Sequence, residues 1–314
     1  MFTWLKHPSI LGYDVAGEVV EVGKEVTRFQ VGDRVVGFAV GTDEKVNDPA
    51  EGAFQEYVVL RPDLTSPIPT SLSYEAASVI PLGLSTAAAG LFQEDTLALL
   101  LPSLSPKPTG QTLIVWGGST SVGCNAIQLG VAAGYEVLTT CSPSNFDLVK
   151  RLGASKVFDY RSKSVVPDMI NAMKGKTAAG ALTMGDGSAE ACMQILAKCK
   201  GNRFVAMATG PLLKPEPKSL VLLRTAVYFV SWMVVYKIKG IFNGVKSNFI
   251  FSTSVTHNGV GKAVFVDFLP KTLEKGTFVA APEPLVVGTG LESIQEAFGI
   301  QEKGVSAKKV VVSL

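Results

Sequence analysis

Apolar and polar positions change their period twice along the chain. Residues 14–23 alternate as a strand does, residues 29–38 read as a glycine turn followed by a second strand, and residues 52–60 read as a third. Pro62, Pro67 and Pro69 mark the exit from this β-rich opening. A helical period starts at Ser73, a residue able to cap it, and runs into the small residues of 81–90, which predict close helix packing. After a proline-rich connection over 99–108, short apolar runs alternate with helical stretches. The runs are 111–116, 135–141, 156–160, 180–184 and 203–208, and helices are predicted near 147–153, 163–174 and 188–199. Such alternation predicts a doubly wound parallel sheet. An apolar stretch, 226–236, precedes a last sheet strand at 248–251. The tail reads as a helix over 259–275, a strand at 285–287, a short helix near 291–298 and a terminal strand at 309–312.

The chemistry concentrates where the run 111–116 ends. Gly117-Gly118-Ser119-Thr120-Ser121-Val122-Gly123 is a turn of small residues between a strand and a helix. That arrangement lets backbone N–H groups approach a pyrophosphate at a helix N-terminus. Gly118 and Gly123 fill the first and last glycine positions of a dinucleotide loop, and Thr120 stands at the middle one. The Ser and Thr hydroxyls are expected to add phosphate hydrogen bonds. The following strand ends at Cys141-Ser142, where a carboxylate would otherwise bond a ribose 2′-hydroxyl. Hydroxyl and amide donors in place of that carboxylate favour NADPH over NADH, and Lys150, Arg151 and Arg161 are further positive charges nearby.

Composition narrows the alternatives. The 314 residues are 47% hydrophobic and 18% charged, with net charge +2 and mean hydropathy +0.29, so a large core is expected and disorder is not. There is no basic block to bind nucleic acid. Cys124, Cys141, Cys192 and Cys199 are scattered, with no CxxC pair, which fits a reducing, cytoplasmic setting. Residues 1–8 show no charged start followed by an apolar core. The apolar stretch 226–236 is shorter than the roughly 20 residues of a bilayer span, so it is expected to be a buried or interface helix and not a membrane span.

With these motifs in place, the chain resembles the medium-chain dehydrogenase/reductase superfamily. Gly12-Tyr13-Asp14-Val15-Ala16-Gly17-Glu18 with Val31-Gly32-Asp33-Arg34-Val35 looks like its catalytic-domain signature, and residues 52–57 look like its next strand. Residues 141–147 and Phe158-Asp159-Tyr160 look like the fungal branch of zinc-independent oxidoreductases and trans-acting enoyl reductases. The resemblance implies an α/β fold: a Rossmann doubly wound parallel sheet with a GroES-like β-rich catalytic domain. It divides the chain into residues 1–75, 76–252 and 253–314, the last completing the first. Relatives carry a few dozen residues ahead of Gly12-Tyr13-Asp14, so the first domain is expected to be shortened.

Zinc alcohol dehydrogenases of the superfamily have Gly-His-Glu where this chain has Gly12-Tyr13-Asp14, and a four-cysteine loop where residues 40–52 contain no cysteine. No metal site is therefore expected. The resemblance implies NADPH on Gly118, Ser119, Thr120, Ser121 and Val122 at the pyrophosphate. Ser142, Ser144 and Asn145 fall at the 2′-phosphate, Tyr160 beside the adenosine, and Thr86, Val286 and Val287 near the nicotinamide. Tyr13 is the candidate proton donor, and Asp14 reads as a structural acceptor. Substrate is expected between Tyr13, residues 80–84 and residues 228–232, a lining suited to a small apolar or aromatic unsaturated molecule. The activity implied is NADPH-dependent reduction of an activated C=C bond in an enoyl thioester, enone or quinone. Alternatives are a non-catalytic NADPH-binding sensor, scaffold or inactive short form, and an alcohol dehydrogenase-like activity. The family also implies a homodimer, joined along the last sheet strand and its neighbouring helix, or transient partnership with a synthase.

Overall fold

In the computed structural model, residues 4–5, 7–211 and 220–314 are described; Met1, Phe2, Thr3 and Lys6 of the opening segment read above lie outside them. The chain begins with a small antiparallel sheet, β1 (Asp14–Glu18), β2 (Arg34–Phe38) and β3 (Thr65–Pro67). Helices α1 (Tyr74–Ala77) and α2 (Pro81–Phe92) lead into a parallel sheet. Its elements are β4 (Gln111–Trp116), α3 (Ser121–Ala132), β5 (Glu136–Cys141), α4 (Phe146–Arg151), β6 (Lys156–Asp159), α5 (Val165–Ala172), β7 (Thr177–Thr183), α6 (Ser188–Leu196), β8 (Lys200–Gly201), β9 (Phe204–Met207), α7 (Val221–Asn243) and β10 (Lys246–Phe249). The return segment holds α8 (Gly259–Lys262), a π-helical stretch (Ala263–Phe268), α9 (Leu269–Glu274), β11 (Glu283–Thr289), α10 (Ile294–Lys303) and β12 (Lys308–Ser313).

The parallel sheet runs β10-β9-β7-β4-β5-β6, with β8 beside β7. Successive strands step outward from β4 in one direction through β6, and the chain then returns to β7 on the other side. This reversal splays the connections apart at the carboxyl ends of β4 and β7 and leaves a crevice there. Its inner strands are buried runs, as both faces of a parallel sheet are covered: Leu113, Ile114, Val115, Val137, Leu138 and Leu182 are fully enclosed. β11 and β12 pair in parallel as a separate ribbon.

Three expectations are corrected. Residues 52–60 form no strand: the Gln55 side-chain amide donates to the carbonyls of Pro49, Ala50 and Gly52, and Val59 N donates to Ala50 O, so this stretch folds back on itself. The third strand is instead β3, proline-bearing and at the sheet edge, where a missing N–H costs no ladder bond. The helical run from residue 73 breaks into α1 and α2, with Ser73 capping α1 through Ala76 N. The apolar stretch lies in a helix of 23 residues, long enough to span a bilayer, and only Tyr236 and Gly240 on it are buried. It is therefore neither short nor buried.

The turn after β4 depends on glycine at two points. Gly117 has φ +92°, and a Cβ on Gly123 would stand 2.2 Å from the Gly117 carbonyl oxygen. Gly123→Ala is expected to destabilise the protein by roughly 1–3 kcal/mol, since the collision is with backbone and not with a movable side chain. Thermal unfolding checks this; an unchanged midpoint would contradict so close an approach.

Candidate functional site

A cavity of about 1910 Å³ opens on the carboxyl ends of the parallel strands. Trp116 and Gly117 after β4, Cys141 and Ser142 after β5, Tyr160 and Arg161 after β6, and Met184 and Gly185 after β7 all line it. The opposite wall comes from residues 14–23, residues 53–60 and the return segment around β12.

At the floor, Thr120 is the N-cap of α3. Its hydroxyl donates to Gly117 O at 2.8 Å and accepts from Gly123 N at 3.0 Å. This corrects the expectation that the Thr120 hydroxyl serves a phosphate: it is occupied in holding the turn. The first-turn N–H groups of a helix lack intrahelical partners, so those of Ser121 and Val122 are left for an anion, which the helix dipole also favours. Gly118 does not line the cavity; a Cβ there would stand 2.2 Å from Thr139 Oγ1, so its role is to let the turn lie against β5. A loop that excludes Cβ atoms, ends in free N–H groups and faces a cavity at the sheet's switch point fits a dinucleotide pyrophosphate.

Ser142, Asn145 and Tyr160 come together at one end of the cavity, while Ser144 does not line it. Arg161 joins them, with its guanidinium 5.2 Å from the Tyr160 ring centre and its Nε donating to the Tyr160 hydroxyl at 3.1 Å. Two contributors were not legible in the sequence. Asn145 Nδ2 donates to Ser306 Oγ at 3.3 Å, and Lys308 lines the same cavity while paired with Glu283. Both approach from the end of the chain, some 160 residues away, and no local pattern announces such a contact.

Thr86 donates its hydroxyl to Leu82 O at 2.7 Å inside α2 and does not reach the cavity. Val286 and Val287 lie on β11 and do not line it either. Of residues 80–84, Leu82 and Gly83 line the cavity, whereas residues 228–232 lie on α7, away from it. Tyr13 stacks on Phe38 with centroids 6.0 Å apart, and its hydroxyl accepts from Thr42 Oγ1 at 2.7 Å. It is not part of the cavity wall. Burial raises its pKa, against the Thr42 hydrogen bond and with help from Asp43, so the phenol stays protonated at neutral pH.

Asp14 does face the cavity. Its Oδ1 accepts from Leu82 N at 2.8 Å at the start of α2 and pairs with Lys309 Nζ at 2.7 Å, which also donates to Val79 O. The structural-acceptor reading of Asp14 matches this geometry. In the loop after β2, Asp43 pairs with His257 at 2.9 Å and accepts from Lys45 N. Burial pushes the Asp43 carboxyl up, but hydrogen bonds from His257, Thr253 and Lys45 outweigh it and hold it below its ordinary range. Among the described residues no group of three His, Cys, Asp or Glu side chains is placed to share a metal ion. Burial pushes the Cys141 thiol up to about 11, so no thiolate nucleophile stands in the cavity at neutral pH.

Comparison with known proteins agrees with this geometry. Residues 2–70 match the alcohol dehydrogenase GroES-like domain family. The chain is 66% identical to the dehydrogenase pigH of Monascus ruber, over all of this chain and 85% of that protein. It is 45% identical to the zinc-binding alcohol dehydrogenase domain-containing protein cipB of Emericella nidulans, and 37% identical to the trans-enoyl reductase himH of Aspergillus japonicus. Each match covers 99% of this chain and 82% of the relative. Among solved structures, a mycobacterial protein complexed with NADPH superposes with a TM-score of 0.66 at 20% identity, over 98% of this chain and 83% of that one, and shares the fold.

Asp14→Ala removes the acceptor at the start of α2 and leaves Lys309 unpaired in a part-buried site. A loss of about 2 kcal/mol is expected. Chemical denaturation measures it, and a change below about 0.5 kcal/mol would show that the link carries no stability.

Proposed function

The chain belongs to the medium-chain dehydrogenase/reductase superfamily, in the branch of fungal dehydrogenases and trans-enoyl reductases, and from that premise we propose that it is an NADPH-dependent, zinc-independent reductase of an activated C=C bond. The membership makes it an oxidoreductase with a nicotinamide cofactor. The observation that carries the finer reading is the end of the cavity where Ser142, Asn145, Tyr160, Arg161 and Lys308 meet with no carboxylate at the end of β5. A ribose 2′-phosphate would gain hydroxyl and amide donors and the Arg161 guanidinium there, whereas NADH would leave that guanidinium without the phosphate.

When bound in this cavity, NADPH would be the hydride source for the β-carbon of an activated C=C bond. Ser119, Ser121 and Val122 would hold the pyrophosphate at the α3 N-terminus. The enolate formed takes its proton from solvent in the open cavity, since the Tyr13 hydroxyl is turned to Thr42. The reading needs no metal. Tyr13 replaces an imidazole, and the Asp43–His257 pair holds the loop in which relatives of other branches bind structural zinc. The far wall suits an apolar, unsaturated substrate: Phe54, Val58, Val59, Leu60 and Phe298 line it, with Phe54 and Phe298 edge to face at 5.8 Å. Residues 1–75 and 253–314 would together form the substrate domain around residues 76–252, with copies associating along the open edge of β10.

Purified protein is assayed with NADPH against a panel of enones, quinones and enoyl thioesters, with metal analysis alongside. Turnover without stoichiometric zinc is expected. A folded, NADPH-binding protein that consumes no NADPH with any of them would refute the reaction. Asn145→Asp is expected to weaken NADPH binding by about tenfold or more through charge repulsion and to leave NADH binding within about twofold. Equal loss for both cofactors would place the 2′-phosphate elsewhere.

A further inference from the structure

Helix α7 is apolar on two sides. One side is spent inside the molecule: Tyr236 and Gly240 are buried, and Phe229 and Trp232 stand edge-on to Phe249 of β10 at 5.4 and 6.2 Å. The other carries Leu223, Val227, Val230, Val234, Ile238 and Ile241, exposed from 47% at Ile238 to 78% at Ile241. Their spacing of three and four places them in a stripe about 80° wide running the length of the helix. An exposed, continuous aliphatic stripe of this kind marks an interaction surface.

The charges on the helix choose the partner. α7 contains Arg224, Lys237 and Lys239 and no Asp or Glu. Lys239 is engaged with Glu190 of α6 at 2.9 Å. Arg224 and Lys237 border the stripe on opposite sides, about 60–80° from its midline, and among the described residues neither has an ion pair. The α7 of a second copy would offer these cations no carboxylate. A bilayer surface with anionic headgroups answers both features: the stripe enters the headgroup–acyl boundary, and the cations, on long stems, reach back to the phosphates. We propose that α7 docks the protein, peripherally and reversibly, on an anionic membrane surface.

The test is co-sedimentation of the full chain with vesicles of phosphatidylcholine alone and with roughly 30% phosphatidylserine. Binding to the anionic vesicles is expected, at least about tenfold stronger than to phosphatidylcholine and weakened by salt. Val230→Glu with Val234→Glu, both at exposed positions, is expected to weaken it about tenfold or more while the thermal midpoint and NADPH binding stay unchanged. Arg224→Gln with Lys237→Gln is expected to cost about tenfold on anionic vesicles and nothing on neutral ones. Folded protein that ignores both vesicles overturns the proposal. So does gel filtration showing a dimer that the double glutamate variant dissociates, since the stripe would then join copies of this chain.

Discussion

The approach of Gly123 to the Gly117 carbonyl is the contact on which the rest of the site depends. It lets α3 begin almost on top of the end of β4, so that the helix N-terminus meets the crevice opened by the sheet's reversal. The packing spreads from there through small residues. α2 crosses α3 at Gly83, where a Cβ would stand 2.4 Å from Ser121 Oγ. Asp14 then fixes the start of α2 and, through Lys309, ties β1 to β12. A backbone collision avoided at one turn thus sets where the β-rich opening and the return segment must lie.

The same geometry separates the cavity's chemistry into two ends. The α3 N-terminus, with its free N–H groups, and the Arg161 cation line one part of the cavity, and the aliphatic and aromatic residues of 53–60 with Phe298 line the other, which is the division the proposed cofactor and substrate rest on. Burial pushes the Cys141 thiol of the cavity up to about 11 and raises the pKa of the Tyr13 phenol, which lies off the cavity wall, so neither acts as a thiolate or phenolate near neutral pH. The proposed reduction, with hydride delivered to carbon and solvent as proton source, asks for neither.

The parallel strands and the loop after β4 were legible in the sequence because both are local. The apolar runs at β4, β5, β7 and β9 are strands buried on both faces, and Gly117 and Gly123 mark backbone demands. The patch at Ser142, Asn145 and Tyr160 was readable as chemistry at strand ends. What failed was long-range or ambiguous. Thr120 was read as a phosphate ligand because a side chain's partner is not visible in its neighbours, and here the partner is the turn itself. Residues 52–60 have strand-like alternation, but Gln55 gathers the carbonyls of Pro49, Ala50 and Gly52 into a fold-back. Tyr13, Thr86 and Val286 were placed by resemblance alone, and their contacts are to Thr42, Leu82 and the β11–β12 ribbon. The stretch in α7 was read as a buried or interface helix, and apolarity alone could not separate the two; its exposure removes the first.

The most direct test of the central claim, that this strand-end patch is built for a 2′-phosphate, is calorimetric titration of the unmodified protein with NADPH and with NADH under the same buffer and salt. NADPH is expected to bind about tenfold or more tightly, with the difference shrinking as salt rises, because cations and neutral donors meet the extra phosphate. Equal affinity for the two, or tighter binding of NADH, would contradict the account.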